Sequence, residues 1–339
     1  MKKFAVLATI LATLALGVAN ANAVVTVGSP LTATFTSGGF DDKPITLTNV
    51  VDTEPGARLT SPVTGKIIRW HVVMAEGGPF YLRILRPSGS DFIATGTSGP
   101  ATPTSTGLQT FSASLPIQAG EAIGLEAHGP NTSSVGFAVD PGFESYYWEP
   151  ALTEGTTSPA PAKLPGEIAA FNAEVQPTPS LAAIAPATGS VTGGTAVTIV
   201  GSDFESVSAV KFGDSPSASF TVDSTSKITA IAPKAAAPGE VDISVTTAGG
   251  TTASGPADKF KYEACTVPKL GGKRLKAARA SLKAGNCALG KVTRKGKGPA
   301  KKARVVKQSA KPGTLLAPGS AIKVTLRSKA PKAKPAKKG

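Results

Sequence analysis

Chemistry in this chain has few side chains to start from: two histidines, His71 and His128, and two cysteines, Cys265 and Cys287. Two histidines outside an HExxH spacing exclude the commonest zinc-hydrolase pattern. No GxxxxGK[ST] phosphate loop and no GxSxG nucleophile elbow occurs. Ser224-Thr225-Ser226-Lys227 matches the SxxK of serine–lysine acyl transfer, but neither SDN nor KTG follows it anywhere in the chain. Paired carboxylates for glycoside hydrolysis come from distant positions in a sequence. They remain the one enzyme route that residues 24–177 keep open. The reading is of a non-enzyme, with no catalytic residue, no metal and no cofactor.

Binding chemistry is better represented. Tyr146, Tyr147 and Trp148 lie beside Glu144 and Glu149, and aromatic faces with nearby carboxylates suit stacking on sugars. The competing reading packs the three aromatics as a plug at the edge of a sheet. Asp41-Asp42 lacks the further oxygen ligands that calcium needs and reads as a solvated turn. Asn131-Thr132-Ser133 formally matches a glycosylation acceptor, a modification unusual in a bacterial product.

The elements that must position these residues begin after a leader. Lys2 and Lys3 precede an apolar run from Phe4 to Val18, and Ala21-Asn22-Ala23 supplies the small residues a signal peptidase needs. The run is 15 residues long, short of the roughly 20 that span a bilayer. The expectation is a secreted bacterial protein, extracellular or wall-associated, with residues 1–23 removed and no integral membrane segment left. In an exported chain, two cysteines form a disulfide more readily than a metal site.

Charge is strongly partitioned. Residues 264–339 carry 22 Lys and Arg and no Asp or Glu, whereas residues 1–263 hold all 22 acids and only 14 bases. An acidic body with a basic C-terminal quarter calls for an anionic partner at the basic end. Export points to peptidoglycan or another anionic wall polymer rather than nucleic acid. The candidate contacts are Lys291, Arg294, Lys295, Lys301, Lys302 and Arg304, with Lys332, Lys334, Lys337 and Lys338 in a low-complexity basic tail over 329–339.

The chain contains 37 Gly and 28 Pro, with short apolar runs between turn residues, so the fold class is mainly β and multidomain. Residues 24–177 read as a β-sandwich or jelly roll. Strands are expected at 31–36, 45–50, 66–74, 80–86, 108–114, 122–127 and 167–175, with a long loop from Pro150 to Pro165. Trp70, Val72 and Met74 alternate with Arg69, His71 and Val73, so one face of that strand points inward. Pro177-Thr178-Pro179 reads as the linker to the next unit.

Two resemblances follow. Ile184-Ala185-Pro186, Gly193-Gly194-Thr195, Val197 to Gly201, Phe204, Val210 to Gly213, Ile228 to Pro233, Val241 to Val245, Gly249-Gly250 and Phe260-Lys261-Tyr262 resemble an IPT/TIG domain. The resemblance implies an immunoglobulin-like sandwich over 178–262, serving as spacer or interaction module.

Val267-Pro268-Lys269-Leu270-Gly271-Gly272, Ala278, Leu282, Gly285, Gly290-Lys291-Val292, Val306 to Ser309, Pro312-Gly313-Thr314, Pro318-Gly319-Ser320 and Ile322 to Thr325 resemble a PASTA domain. That implies a small α+β unit over 263–328, one helix on a three-stranded sheet, of a family associated with peptidoglycan. Leu275, Ala278 and Leu282 form one helical stripe that Gly285 can end. In the resembled fold the ends holding Cys265 and Cys287 are close, so a disulfide would staple helix to strand. A catalytic thiol would need a histidine, and both lie in residues 24–177.

The whole reads as a secreted, non-enzymatic envelope protein. A basic C-terminus binds the wall, and a spacer presents an N-terminal domain whose own partner is a surface glycan or protein. The alternative is a carbohydrate-active enzyme or lectin working through residues 24–177.

Overall fold

The computed structural model describes residues 24–39, 43–128, 133–296 and 299–328. The expected leader over 1–23, Asp41-Asp42, Asn131-Thr132, and the tail lysines Lys332, Lys334, Lys337 and Lys338 lie outside the described residues. Of the described residues 55% are strand and 5% helix, a mainly β multidomain architecture.

The first module contains β1 (Val25–Gly28), β2 (Thr36–Gly39), β3 (Ile45–Val51), β4 (Gly65–Val72), β5 (Phe80–Ser88), β6 (Asp91–Thr97), β7 (Gln109–Ile117), β8 (Ala122–Ala127), β9 (Ser134–Trp148), β10 (Ala162–Ala169) and β11 (Phe171–Pro177). One sheet runs β1-β11-β4-β7, the other β10-β9-β3-β8-β5-β6 with β2 also on β9. Trp70, Val72, Phe80, Leu82, Leu125 and Phe171 fill the core between them. The alternation expected at Trp70, Val72 and Met74 places the first two inward, whereas Met74 lies beyond β4 at a left-handed φ of 54° and is only half-buried.

Four expectations need correction. No strand forms over 31–35: Leu31 has a left-handed φ of 63°, which breaks extended pairing. Gly38-Gly39 reads as a turn but lies in β2, paired with Val135 and Ser134 of β9, and glycine at 38 leaves room for the Phe137 ring, which an added Cβ would approach to 2.4 Å. Residues 167–175 split into β10 and β11, which change sheets at Ala170. Strands β1, β6 and β9 were not foreseen; Asp140-Pro141-Gly142 reads as a turn but lies inside the 15-residue β9. At that point β9 exchanges partners, pairing with β2 before it and β3 after it.

The second module is β12 (Ser180–Ala185), β13 (Thr188–Ser190), β14 (Ala196–Ser202), β15 (Ala209–Phe212), β16 (Ser215–Pro216), β17 (Ser219–Ser224), β18 (Lys227–Ile231), β19 (Gly239–Thr247), β20 (Gly250–Thr251) and β21 (Lys259–Glu263). A sheet β12-β14-β18-β17 faces β13-β21-β19-β15-β16, with β20 on β19, around Val197, Ile199, Phe204, Phe212, Ile243 and Phe260. The SxxK match is only the β17–β18 hairpin, where the Ser224 and Ser226 hydroxyls bond each other at 3.2 Å.

The third module has β22 (Cys265–Thr266), α1 (Leu275–Ala284), β23 (Ala288–Lys295), β24 (Arg304–Gln308), β25 (Leu315–Leu316) and β26 (Ala321–Arg327). The three-stranded sheet runs β23-β26-β24, and β22 pairs β25 separately. Ala278 and Leu282 are buried from the helix, with Leu275 half-buried beside them. Gly285 caps the helix at φ −90°, so the left-handed residue is instead Asn286, at φ 54°. Glycine is needed at 285 for proximity, since a Cβ there would lie 2.4 Å from the Thr266 carbonyl oxygen.

Candidate functional site

In β26, Ile322, Val324 and Leu326 are each at most 2% exposed beneath α1. Strand periodicity then turns Lys323, Thr325 and Arg327 to the opposite side. The register aligns Thr293 and Lys307 with Thr325, and Lys295 and Arg304 with Arg327. Lys291, Lys307 and Lys323, one from each strand, line a cleft of about 230 Å³ together with Thr293, Ser309 and Thr325. Among the described residues every ion pair lies before residue 264, so no carboxylate neutralises these ammonium groups. A sheet face with hydroxyls between lysines is suited to holding an extended polyanion.

Of the residues expected from sequence, Lys291 and Lys295 stand on this face. Arg304 lies at its end, with its guanidinium donating to the Gly272 carbonyl at 2.8 Å. Arg294 falls in register with buried Leu326 and belongs to the other side. Lys301 and Lys302 occupy an exposed 3-10 turn, Ala300–Lys302, leading into β24. Sequence reasoning missed Lys307, Lys323 and Arg327. The alternation Ile-Lys-Val-Thr-Leu-Arg over 322–327 would have found the last two.

Cys265 and Cys287 form a disulfide with Cα atoms 4.7 Å apart, both buried in the core of this module. In the same module the Gln308 side chain is structural: it bonds the backbone of Pro268, Leu270 and Ala310.

The aromatic trio of the first module does not share one face. Trp148 is 2% exposed, packs edge-on against Phe92 with ring centroids 5.7 Å apart, and donates Nε1–H to the Pro159 carbonyl at 2.9 Å. Tyr146 lies on that same outer face under Lys163, whose Nζ is 5.1 Å from the ring centroid. Glu144 pairs with Lys163 at 3.3 Å, and Glu149 with Lys43 at 2.8 Å. Only Tyr147 turns to the opposite side, where it borders an open cleft.

A polar row crosses the outer face of the four-stranded sheet. The Thr110 hydroxyl is 2.8 Å from His71 Nδ1, His71 Nε2 is 3.2 Å from Glu174, and Arg69 Nε donates to Glu174 at 2.8 Å. Burial pushes the Glu174 carboxyl up, but the hydrogen bonds and positive charge of Arg69 and His71 outweigh it and hold the group below the usual carboxylate range. Among the described residues no group of three or more His, Cys, Asp or Glu is arranged to hold a metal ion. No helix among them is long and apolar enough to cross a membrane.

No curated protein matches the chain. Among solved structures, it is similar to SGBP-B from a complex xyloglucan utilization locus in Bacteroides uniformis, at 16% identity and a TM-score of 0.21 over 67% of this chain. It is also similar to the full extracellular region of plexin A4, at 16% identity and a TM-score of 0.19 over 55% of this chain. The chain spans 48% of the first protein and 23% of the second. Residues 179–262 match the IPT/TIG domain model and residues 266–328 the PASTA domain model, domains that fit an extracellular or cell-envelope protein, while the N-terminal module has no family assigned: the chain carries an IPT/TIG domain followed by a PASTA domain.

Proposed function

We propose that this is a secreted, non-enzymatic cell-envelope protein whose PASTA domain holds it to peptidoglycan or another anionic wall polymer through the cationic sheet face. The IPT/TIG domain serves as spacer, presenting the N-terminal sandwich as a binding module. The observation that carries the reading is the convergence of Lys291, Lys307 and Lys323 on one cleft, in a region with no acidic residue. Exposed charge pairs contribute only about 0–1 kcal/mol each, so retention must come from many acting together. An extended polymer engages such a row, whereas a single small anion gains little from it.

Sedimentation with purified cell walls tests the proposal. The mature chain co-sediments at low salt, and a Lys291→Glu/Lys307→Glu/Lys323→Glu variant stays in solution. Binding weakens steeply between physiological salt and 1 M, where the screening length falls from about 8 Å to about 3 Å. Truncation after Ser328 removes five of the 22 positive charges and leaves most of the retention. Equal sedimentation of the parent and the triple variant would overturn the assignment.

A further inference from the structure

The two sheets of the N-terminal sandwich are unequal, and the mismatch leaves a concavity. β1 and β11 pack across β8, and β7 packs across β6. The four-stranded sheet thus packs most closely on the β8-β5-β6 half of its partner, and the inner face opens toward β9 and β10. On that inner face lies an open cleft of about 400 Å³, within the range of about 300–1,000 Å³ common for small-molecule sites.

The register explains its lining. Leu47 pairs with Tyr147, and Glu167 with Val139 in β9. This brings Tyr147, Phe137, Leu164 and Glu167 onto one surface, joined by Glu149 at the end of β9 and by the edge of β2. The floor is aromatic and aliphatic. The rim carries two carboxylates, of which Glu149 is charge-compensated by Lys43. β2 adds the Thr36 and Ser37 hydroxyls at the cleft wall.

Resting on the reading of this module as a binding domain, we propose that the cleft is a saccharide site for a neutral sugar ring. An aromatic and aliphatic floor meets the C–H face of the ring. Carboxylates and hydroxyls at the rim accept and exchange hydrogen bonds with the hydroxyl edge. An anionic ligand is disfavoured by Glu167 and by the acidic body of residues 24–263. A purely apolar ligand would desolvate the rim carboxylates while offering them no hydrogen bond. The contact residues are Tyr147, Phe137, Leu164, Glu149 and Glu167; buried Trp148 takes no part, and neither does Tyr146.

Saturation-transfer NMR and calorimetry on the mature full chain, with cellobiose and N,N′-diacetylchitobiose as probes, test it. Transfer to ring C–H protons is expected for at least one of them. Tyr147→Ala should weaken that affinity at least tenfold, Tyr147→Phe should preserve most of it, and Glu167→Gln should weaken it about fivefold. Glu167→Gln keeps the test meaningful if Tyr147→Ala unfolds the module. The Lys291→Glu/Lys307→Glu/Lys323→Glu variant should bind the disaccharide as the parent does while losing the wall, so the two sites fail separately. No binding of either disaccharide overturns the proposal. So does binding indifferent to Tyr147→Ala and Glu167→Gln, or displacement of the sugar by butylamine, which would mark a cation site instead.

Discussion

Gln308 Oε1 accepts the backbone N–H of Leu270 at 2.9 Å, while its Nε2 donates to the carbonyls of Pro268 at 3.1 Å and Ala310 at 2.9 Å. One side chain thus ties the segment leading into α1 to the end of β24. Gln308→Ala strands a backbone donor and two carbonyls in a half-buried setting and should cost about 2 kcal/mol. Urea unfolding of the full chain should show a lower midpoint for the PASTA transition at unchanged slope.

The Cys265–Cys287 disulfide closes a short loop around α1 in a domain with little core. Replacing both cysteines with serine should destabilise the PASTA transition by about 3 kcal/mol in the chain-entropy view. The IPT/TIG transition should move little, which domain-resolved hydrogen exchange can read.

Gly285→Ala places a methyl against the Thr266 carbonyl, 2.4 Å away. Because the obstacle is backbone in β22, relief requires α1 to move, and the expected loss is about 1–3 kcal/mol. Thermal melting compared with Gly319→Ala, a left-handed glycine with nothing within 4 Å of an added Cβ, separates crowding from conformational strain.

Glu174 titrates below its ordinary 4.5 because Arg69 and His71 offset its burial. A carboxyl depressed in the folded state contributes stability that is complete above the unfolded value and lost as pH falls through the folded one. The first module should therefore lose stability below about pH 4.5 partly through this group. Glu174→Gln should flatten that slope, and Arg69→Met should move the Glu174 side-chain carbon titration upward in NMR.

Much of the fold was legible because it rests on local signals. The alternation at Trp70 and Val72, and the Ala278–Leu282 stripe, each state their own periodicity. β9 was not legible, because Asp140-Pro141-Gly142 carries turn chemistry while strands on both sides, distant in sequence, impose extension. The cationic face was half legible. Composition pointed to the region, but the convergence of Lys291, Lys307 and Lys323 depends on β23 and β26 running parallel, which no local pattern announces. Tyr147 was singled out with its neighbours; only the pleat distinguishes it from Tyr146 and Trp148.

The joint between the last two domains has a mechanical meaning. Ala264 is buried in the core of the IPT/TIG domain, Leu315 packs onto that core, and Cys265 follows at once. Cys287 immediately precedes β23, one of the strands that carries the cationic face. When that face is anchored and the remainder of the chain is tugged, load on β23 passes through the sulfur bridge to Cys265 and enters the IPT/TIG domain there. The segment between the cysteines, α1 included, lies off the line of force. Under such a load the helix could fray without lengthening the path between the cationic face and the IPT/TIG domain.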